Sequence, residues 1–163
     1  MIILAIDPGK SGGFAVHING EVAATKMPDT LKELALRAQG LTIEAKTDSV
    51  CYLEDVPKFC GENRPAASIF PLAESYGAAQ GILAALNIRT ILVRPQDWQK
   101  GLNIGKRRDC KNSRAWKAKL KAEAQRRFPD LNVTLATADA LLLLDYALRQ
   151  EKAQSPAAAK NQN

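Results

Sequence analysis

Short apolar runs separated by polar or glycine-rich stretches lay out the strands of this chain. Residues 2–6 (Ile-Ile-Leu-Ala-Ile) are too few and too β-branched for a helix, and the run ends in Asp7. Residues 13–18 and 21–26 resume a strand pattern, and Asn19-Gly20 between them is a tight hairpin turn. A helix is expected to open near Pro28-Asp29-Thr30, with Leu31, Leu34, Ala35 and Ala38 on one face. Residues 49–53 form a fourth strand ending in Glu54-Asp55, and 88–93 a fifth. Between them a long helix of small residues spans 66–86, with an interruption expected at Pro71. Ala73, Gly77 and Gly81 recur every four residues, so one stripe of that helix admits a close backbone, either the sheet's or a second subunit's. A short helix over 96–100, a loop over 101–112, a helix over 113–127 and an irregular 131–135 follow. The final helix, 136–150, is apolar on most sides and belongs against a sheet. Three hairpin-paired strands followed by alternating helices and strands predict an α/β fold: one mixed sheet with helices on its faces.

Composition narrows this little and charge narrows it more. A chain of 163 residues, 46% apolar and 25% charged, is one ordinary globular domain. Residues 1–151 form it, and 152–163, without apolar anchors, are expected to be a disordered tail. No stretch has the length of a membrane span and no signal-peptide pattern opens the chain, so the expectation is a cytoplasmic protein without a membrane partner. Cys51, Cys60 and Cys110 lack the spacing of a disulfide framework or a structural zinc site. His17 is the only histidine, so acid–base work falls to carboxylates or a metal.

The formal charge of +6 is unevenly spread. Eleven basic residues (Lys100, Lys106, Arg107, Arg108, Lys111, Arg114, Lys117, Lys119, Lys121, Arg126 and Arg127) face only Asp109 and Glu123 over residues 100–127, giving +9 there and −3 elsewhere. Trp98 and Trp116 sit beside or within this block. Such a segment is the electrostatic footprint of a polyanion partner, against the plainer reading of a solvated helix face.

Three carboxylates lie at element ends. Asp7 closes the first strand before Pro8-Gly9-Lys10-Ser11-Gly12-Gly13, which taken alone reads as an Asx-type turn. Glu54 closes the fourth strand, and Asp139 falls in the first turn of the last helix. If the first and fourth strands are parallel neighbours, Asp7 and Glu54 leave the sheet at one edge. A helix packed at that edge adds Asp139. Oxygen ligands without His or Cys suit Mg²⁺, with Mn²⁺ as a substitute, and such a site serves phosphoryl displacement. Each residue has a purely structural reading; together with the basic block they point to a nuclease. Gly9-Lys10-Ser11 is not a P-loop, because Leu4 stands where its first glycine belongs, so ATP is not expected.

Six ordered segments carry a resemblance: Ile6-Asp7-Pro8-Gly9 with Ser11-Gly12-Gly13, Leu53-Glu54-Asp55-Val56, Ser75-Tyr76-Gly77 with Gly81-Ile82-Leu83-Ala84-Ala85-Leu86, Pro95-Gln96-Asp97-Trp98, Arg127-Phe128-Pro129, and Ala138-Asp139-Ala140-Leu141-Leu142. The chain resembles the RuvC-type Holliday junction resolvases of the RNase H-like superfamily, in their compact phage, bacterial and organellar branch. The resemblance implies an RNase H-like fold with a five-stranded mixed sheet whose first three strands are antiparallel. It implies a homodimeric, Mg²⁺-dependent endonuclease that nicks four-way DNA junctions in pairs, leaving 5′-phosphate and 3′-hydroxyl ends, in the nucleoid of a bacterial or phage-infected cell. Asp7 would bridge metals, Glu54 would ligate from the fourth strand, and Asp139 from the last helix.

One departure stands out. Family members carry a second acid three or four residues before the helix aspartate, where this chain has Ala136 and Leu135. Asp145 points elsewhere on the helix, and Asp55 alternates to the other face of its strand. A lysine or Asp55 could substitute, or junction binding could persist without cleavage. For branched DNA, Lys106, Arg107, Arg108, Lys111 and Arg114 are the phosphate-contact candidates. Lys58 and Phe59, in the loop after Glu54, are candidates for a contact and an apolar wedge in an opened junction. An RNase H-like nuclease acting on flaps or RNA–DNA hybrids is the remaining alternative.

Overall fold

The computed structural model describes residues 1–45, 48–57 and 66–154. Five strands form one sheet: β1 (Ile2–Asp7), β2 (Gly13–Ile18), β3 (Glu21–Lys26), β4 (Ser49–Glu54) and β5 (Arg89–Val93), in the order β3-β2-β1-β4-β5. The first three strands pair antiparallel, whereas β4 runs parallel to both β1 and β5. Helices α1 (Leu31–Ala45) and α2 (Ala66–Ala85) follow β3 and β4; α3 (Pro95–Gln99), α4 (Ser113–Arg127) and α5 (Ala138–Gln154) follow β5.

Strand alternation sorts the core into two layers. Ile2, Leu4 and Ile6 of β1 and Cys51 and Leu53 of β4 pack with Leu34, Ala38, Ala79 and Leu83 of α1 and α2. Ile3 and Ala5, with Val50 and Tyr52, pack on the opposite side with Trp98, Trp116, Leu120 and the apolar run of α5. The odd positions of β1 and even positions of β4 therefore face α5. Continued by one step, that parity turns Asp7 and Glu54 to the same side.

α5 crosses the sheet with both ends fixed. At its start, Thr134 and Thr137 bond reciprocally, each backbone N–H donating to the other's hydroxyl at 2.9 and 3.2 Å. The Thr137 carbonyl accepts from Leu141 N–H, which closes the first turn around Asp139. At its other end, buried Glu151 accepts from the Tyr52 hydroxyl at 2.8 Å and from Arg89 at 2.9 Å. This anchor carries the helix to Gln154, so Lys152–Gln154 are helical where a tail was expected; the rest of that tail lies outside the described residues. α2 likewise runs through Pro71 without a break.

Gly13 fixes how closely α5 approaches the strands. It pairs with Asp7 across the β1–β2 hairpin, and a Cβ there would lie 2.5 Å from the Ala136 carbonyl oxygen and 3.0 Å from the Ala140 Cβ. Both obstacles belong to the packed start of α5. Replacing Gly13 with Ala should therefore push α5 outward and cost about 1–3 kcal/mol of stability in denaturant unfolding; an unchanged midpoint would contradict this close packing.

Candidate active site

Asp7, Glu54 and Asp139 converge at the C-terminal edge of the two central parallel strands. The β1–β4 register, with Ile6 opposite Leu53, brings Asp7 and Glu54 to adjacent strand ends. Asp139 approaches from the first turn of α5, where the positive end of the helix dipole favours a carboxylate. It is 5% exposed, and its Oδ1 is buried without a hydrogen-bond partner among the described residues. An unpaired buried carboxylate oxygen is costly, and a cation is the partner that best removes the cost.

Two further side chains complete the cluster. Trp98, fully buried on α3, donates its indole N–H to Glu54 Oε2 at 2.8 Å. Lys117, on α4, places its ammonium 2.5 Å from Asp139 Oδ2. Lys117 is one of the eleven basic residues of the 100–127 segment. Its helix buries Trp116, Leu120, Glu123 and Ala124, and Lys117 and Lys119 flank that stripe on opposite sides. The sequence marks both as border positions without telling which border meets α5.

The electrostatics follow from crowding three acids together. Loss of hydration, then the neighbouring Glu54 and Asp139, hold the Asp7 carboxyl well above its usual range, and Lys117 opposes this. Burial, then Asp139, lifts Glu54 to about 7, against the Trp98 hydrogen bond and Lys117. Burial works against the charged form of Lys117, but the three acids outweigh it and raise its pKa.

Among the described residues, no three His, Cys, Asp or Glu side chains form a ready-made cluster around a metal position. The three carboxylates sense one another as charges, and one oxygen of Asp139 is engaged by Lys117. The unpartnered Asp139 Oδ1 and the strained charges of Asp7 and Glu54 nonetheless fit a hard divalent cation, which would relieve both.

The other acids are accounted for. Asp55 turns away and accepts from the Tyr76 hydroxyl at 2.7 Å, on the α2 side. Asp145 binds Arg127 and Arg149. Neither supplies a fourth ligand. Of the basic candidates, Arg107 belongs to a 3₁₀ turn (Arg107–Asp109) with Arg108, and Lys106 directly precedes it. Lys111 and Arg114 flank the start of α4, and all five are exposed. Arg114 lies one helical turn before Lys117, so the basic loop runs into the helix that touches the carboxylates. Lys58 and Phe59 lie outside the described residues. Trp98 and Trp116 are core residues rather than exposed stacking platforms.

A five-stranded mixed sheet in this order, flanked by helices, is an RNase H-like fold. Neither a protein-family sequence model nor a curated protein sequence matches the chain. Among solved structures, Thermus thermophilus RuvC superposes with a TM-score of 0.55 over 93% of this chain and 97% of that one, at 17% identity. T. thermophilus RuvC in complex with a Holliday junction substrate superposes at 0.53, with 12% identity, over 92% and 96%. The RuvC likeness of the six sequence segments thus extends to the whole fold.

Proton linkage gives a test of the cluster without any substrate. Glu54 holds its proton more tightly folded than unfolded, so folding takes up a proton and stability falls as pH rises from 4.5 to about 7. Glu54→Gln keeps an acceptor for Trp98 and removes one repelling charge. In metal-free buffer it should raise stability by about 1–3 kcal/mol at pH 8 and change little at pH 4.5. Denaturant titrations at the two pH values check this, and equal effects at both would contradict the crowding.

Proposed function

We propose that this chain is a metal-dependent, structure-specific endonuclease that resolves four-way DNA junctions, leaving 5′-phosphate and 3′-hydroxyl ends. The observation that carries the proposal is the delivery of Asp7, Glu54 and Asp139 to one edge of an RNase H-like sheet, with Asp139 Oδ1 buried and unpaired. The exposed basic loop beside α4 supports a DNA substrate, and the fold likeness to RuvC, one structure of which holds a Holliday junction, favours a branched one.

Asp7, Glu54 and Asp139 would hold Mg²⁺, or Mn²⁺ in its place, which activates water and offsets charge on the phosphate oxygens. Trp98 fixes the Glu54 carboxylate, which limits the reorientation needed when the phosphate arrives. Lys117 keeps its proton and presents positive charge at the same edge, where phosphodiester attack builds negative charge. Lys106, Arg107, Arg108, Lys111 and Arg114 would hold flanking phosphates without reading sequence.

The homodimer belongs to this proposal too, because resolving a junction takes two nicks. On α2, Phe70, Ala73, Gly77 and Gly81 are all exposed, and a Cβ at Gly77 or Gly81 would meet no atom of the described residues within 4 Å. The small-residue stripe therefore does not serve the chain's own sheet and suits the α2 helix of a second copy. Gly77→Leu should leave the monomer folded and shift a dimer to monomer in light scattering. A dimer unaffected by it would place the interface elsewhere.

One observation favours a second reading, junction binding without efficient cleavage: Lys117 engages Asp139, and among the described residues neither Asp55 nor Asp145 stands beside it. The two readings separate on a synthetic four-way junction compared with flap and RNA–DNA hybrid substrates. The nuclease reading expects symmetric nicks in Mg²⁺, absent in Ca²⁺ and reduced at least about a hundredfold in Asp7→Asn. Junction binding by the unmutated protein without nicks would establish the second reading, and preferential cutting of hybrids would redirect the substrate.

A further inference from the structure

We infer that the Ser75 and Tyr76 hydroxyls of α2 are positioning groups of the candidate active site, holding the chain just past Asp7 and just past Glu54. This inference rests on the nuclease reading and deepens it, because it names what fixes two of the three carboxylates from behind the sheet.

The first contact is at the end of β1. Gly9 N–H, two residues past Asp7, donates to Ser75 Oγ at 3.0 Å across 66 positions of sequence. Gly9 is buried with φ at +107°, and a Cβ there would lie 3.1 Å from Leu72 Cδ1, three residues earlier on α2 than Ser75. The turn is also closed on itself. Gly12 N–H donates to the Gly9 carbonyl at 2.9 Å, and a Cβ at Gly12 would fall 2.0 Å from the Asp7 carbonyl oxygen. Pro8 fixes φ between Asp7 and Gly9, so little torsional freedom separates the Ser75 bond from the Asp7 backbone.

The second contact is at the end of β4. The Tyr76 hydroxyl donates to Asp55 Oδ1 at 2.7 Å, and Asp55 N–H donates to the Val93 carbonyl of β5 at 2.8 Å. Asp55 is therefore held on the α2 side of the sheet. Strand alternation then sends its neighbour Glu54 to the α5 side, where the Trp98 indole N–H meets it. The end of β4 is thus gripped from both faces, by α2 through Asp55 and by α3 through Glu54.

Both contacts come from one place on one helix. Tyr76 packs with Ala79 and Leu83 on the face of α2 that buries against the sheet, and Ser75 stands beside it. The two hydroxyls fall where that apolar face reaches the strand ends. Each acts through a neighbour of a carboxylate, which makes both residues positioning rather than catalytic. Deleting either hydroxyl leaves the apolar packing of α2 in place, so the role can be separated from folding.

Hydroxyl deletion in the full chain is the test, with amide exchange of the metal-free protein and nicking of a four-way junction in Mg²⁺ as readouts. Exchange should quicken about fivefold or more at Gly9 in Ser75→Ala and at Asp55 in Tyr76→Phe, because each loses one tertiary hydrogen bond. Both variants should bind the junction as tightly as wild type yet nick about tenfold more slowly at saturation, a loss in kcat with KM kept. Ser75→Thr, which keeps the hydroxyl, should restore both readouts. All four proteins are compared at a temperature where circular dichroism shows each fully folded. A wild type that nicks, beside hydroxyl-deleted variants that nick at its rate or exchange as it does, would overturn the inference and leave the nuclease reading intact. So would a loss carried by weaker junction binding, or one that Ser75→Thr shares with Ser75→Ala. A wild type that leaves junctions, flaps and hybrids whole would overturn the nuclease reading, and the positioning role with it.

Discussion

Three like charges held at one edge of a sheet repel one another, and much of the surrounding structure keeps them there. Two sit on adjacent parallel strands whose alternation leaves them no choice of face. The third rides on a helix that reaches the strands only because Gly13 offers no side chain against the Ala136 carbonyl. Trp98 and Lys117 then bind one oxygen each of Glu54 and Asp139. The Asp7 and Glu54 carboxyls still stand above their usual range, first because burial strips their hydration and then because their acidic neighbours repel them. A protein selected for stability alone would replace one of these acids. Three crowded, desolvated acids therefore mark this edge as the candidate functional site.

The anchoring of α5 shows how distant parts of the fold serve that edge. Glu151 ties the far end of the helix to Tyr52 and Arg89 on the central and outer strands, while the Thr134–Thr137 pair shapes its first turn. Arg127 links α4 to α5 through Asp145, so the helix carrying Lys117 and the helix carrying Asp139 cannot slide apart freely.

Much of this was legible in the residues. The period-two pattern gave the strands, and Asn19-Gly20 the hairpin. The same parity sends Glu54 to the α5 side and its neighbour Asp55 away to Tyr76. What stayed hidden depends on pairings between distant positions. Trp98 reads as a core residue, and its bond to Glu54 across 44 positions leaves no periodic trace. Lys117 lies among lysines of equal chemistry, and only the packing of α4 on α5 distinguishes its border of the buried stripe from that of Lys119. The small-residue stripe of α2 suited two partners equally, and the empty space over Gly77 and Gly81 decides against the sheet. Glu151 falls one residue past the expected end of the last helix, and the partners that hold it come from β4 and β5.

The central claim is that the sheet edge holds a divalent cation through Asp7, Glu54 and Asp139. Anomalous diffraction from crystals equilibrated with Mn²⁺ tests it most directly. A strong peak within bonding distance of Asp7 and of Asp139 Oδ1 is the expected result. A peak elsewhere on the chain, or none at this edge at saturating Mn²⁺, would contradict it.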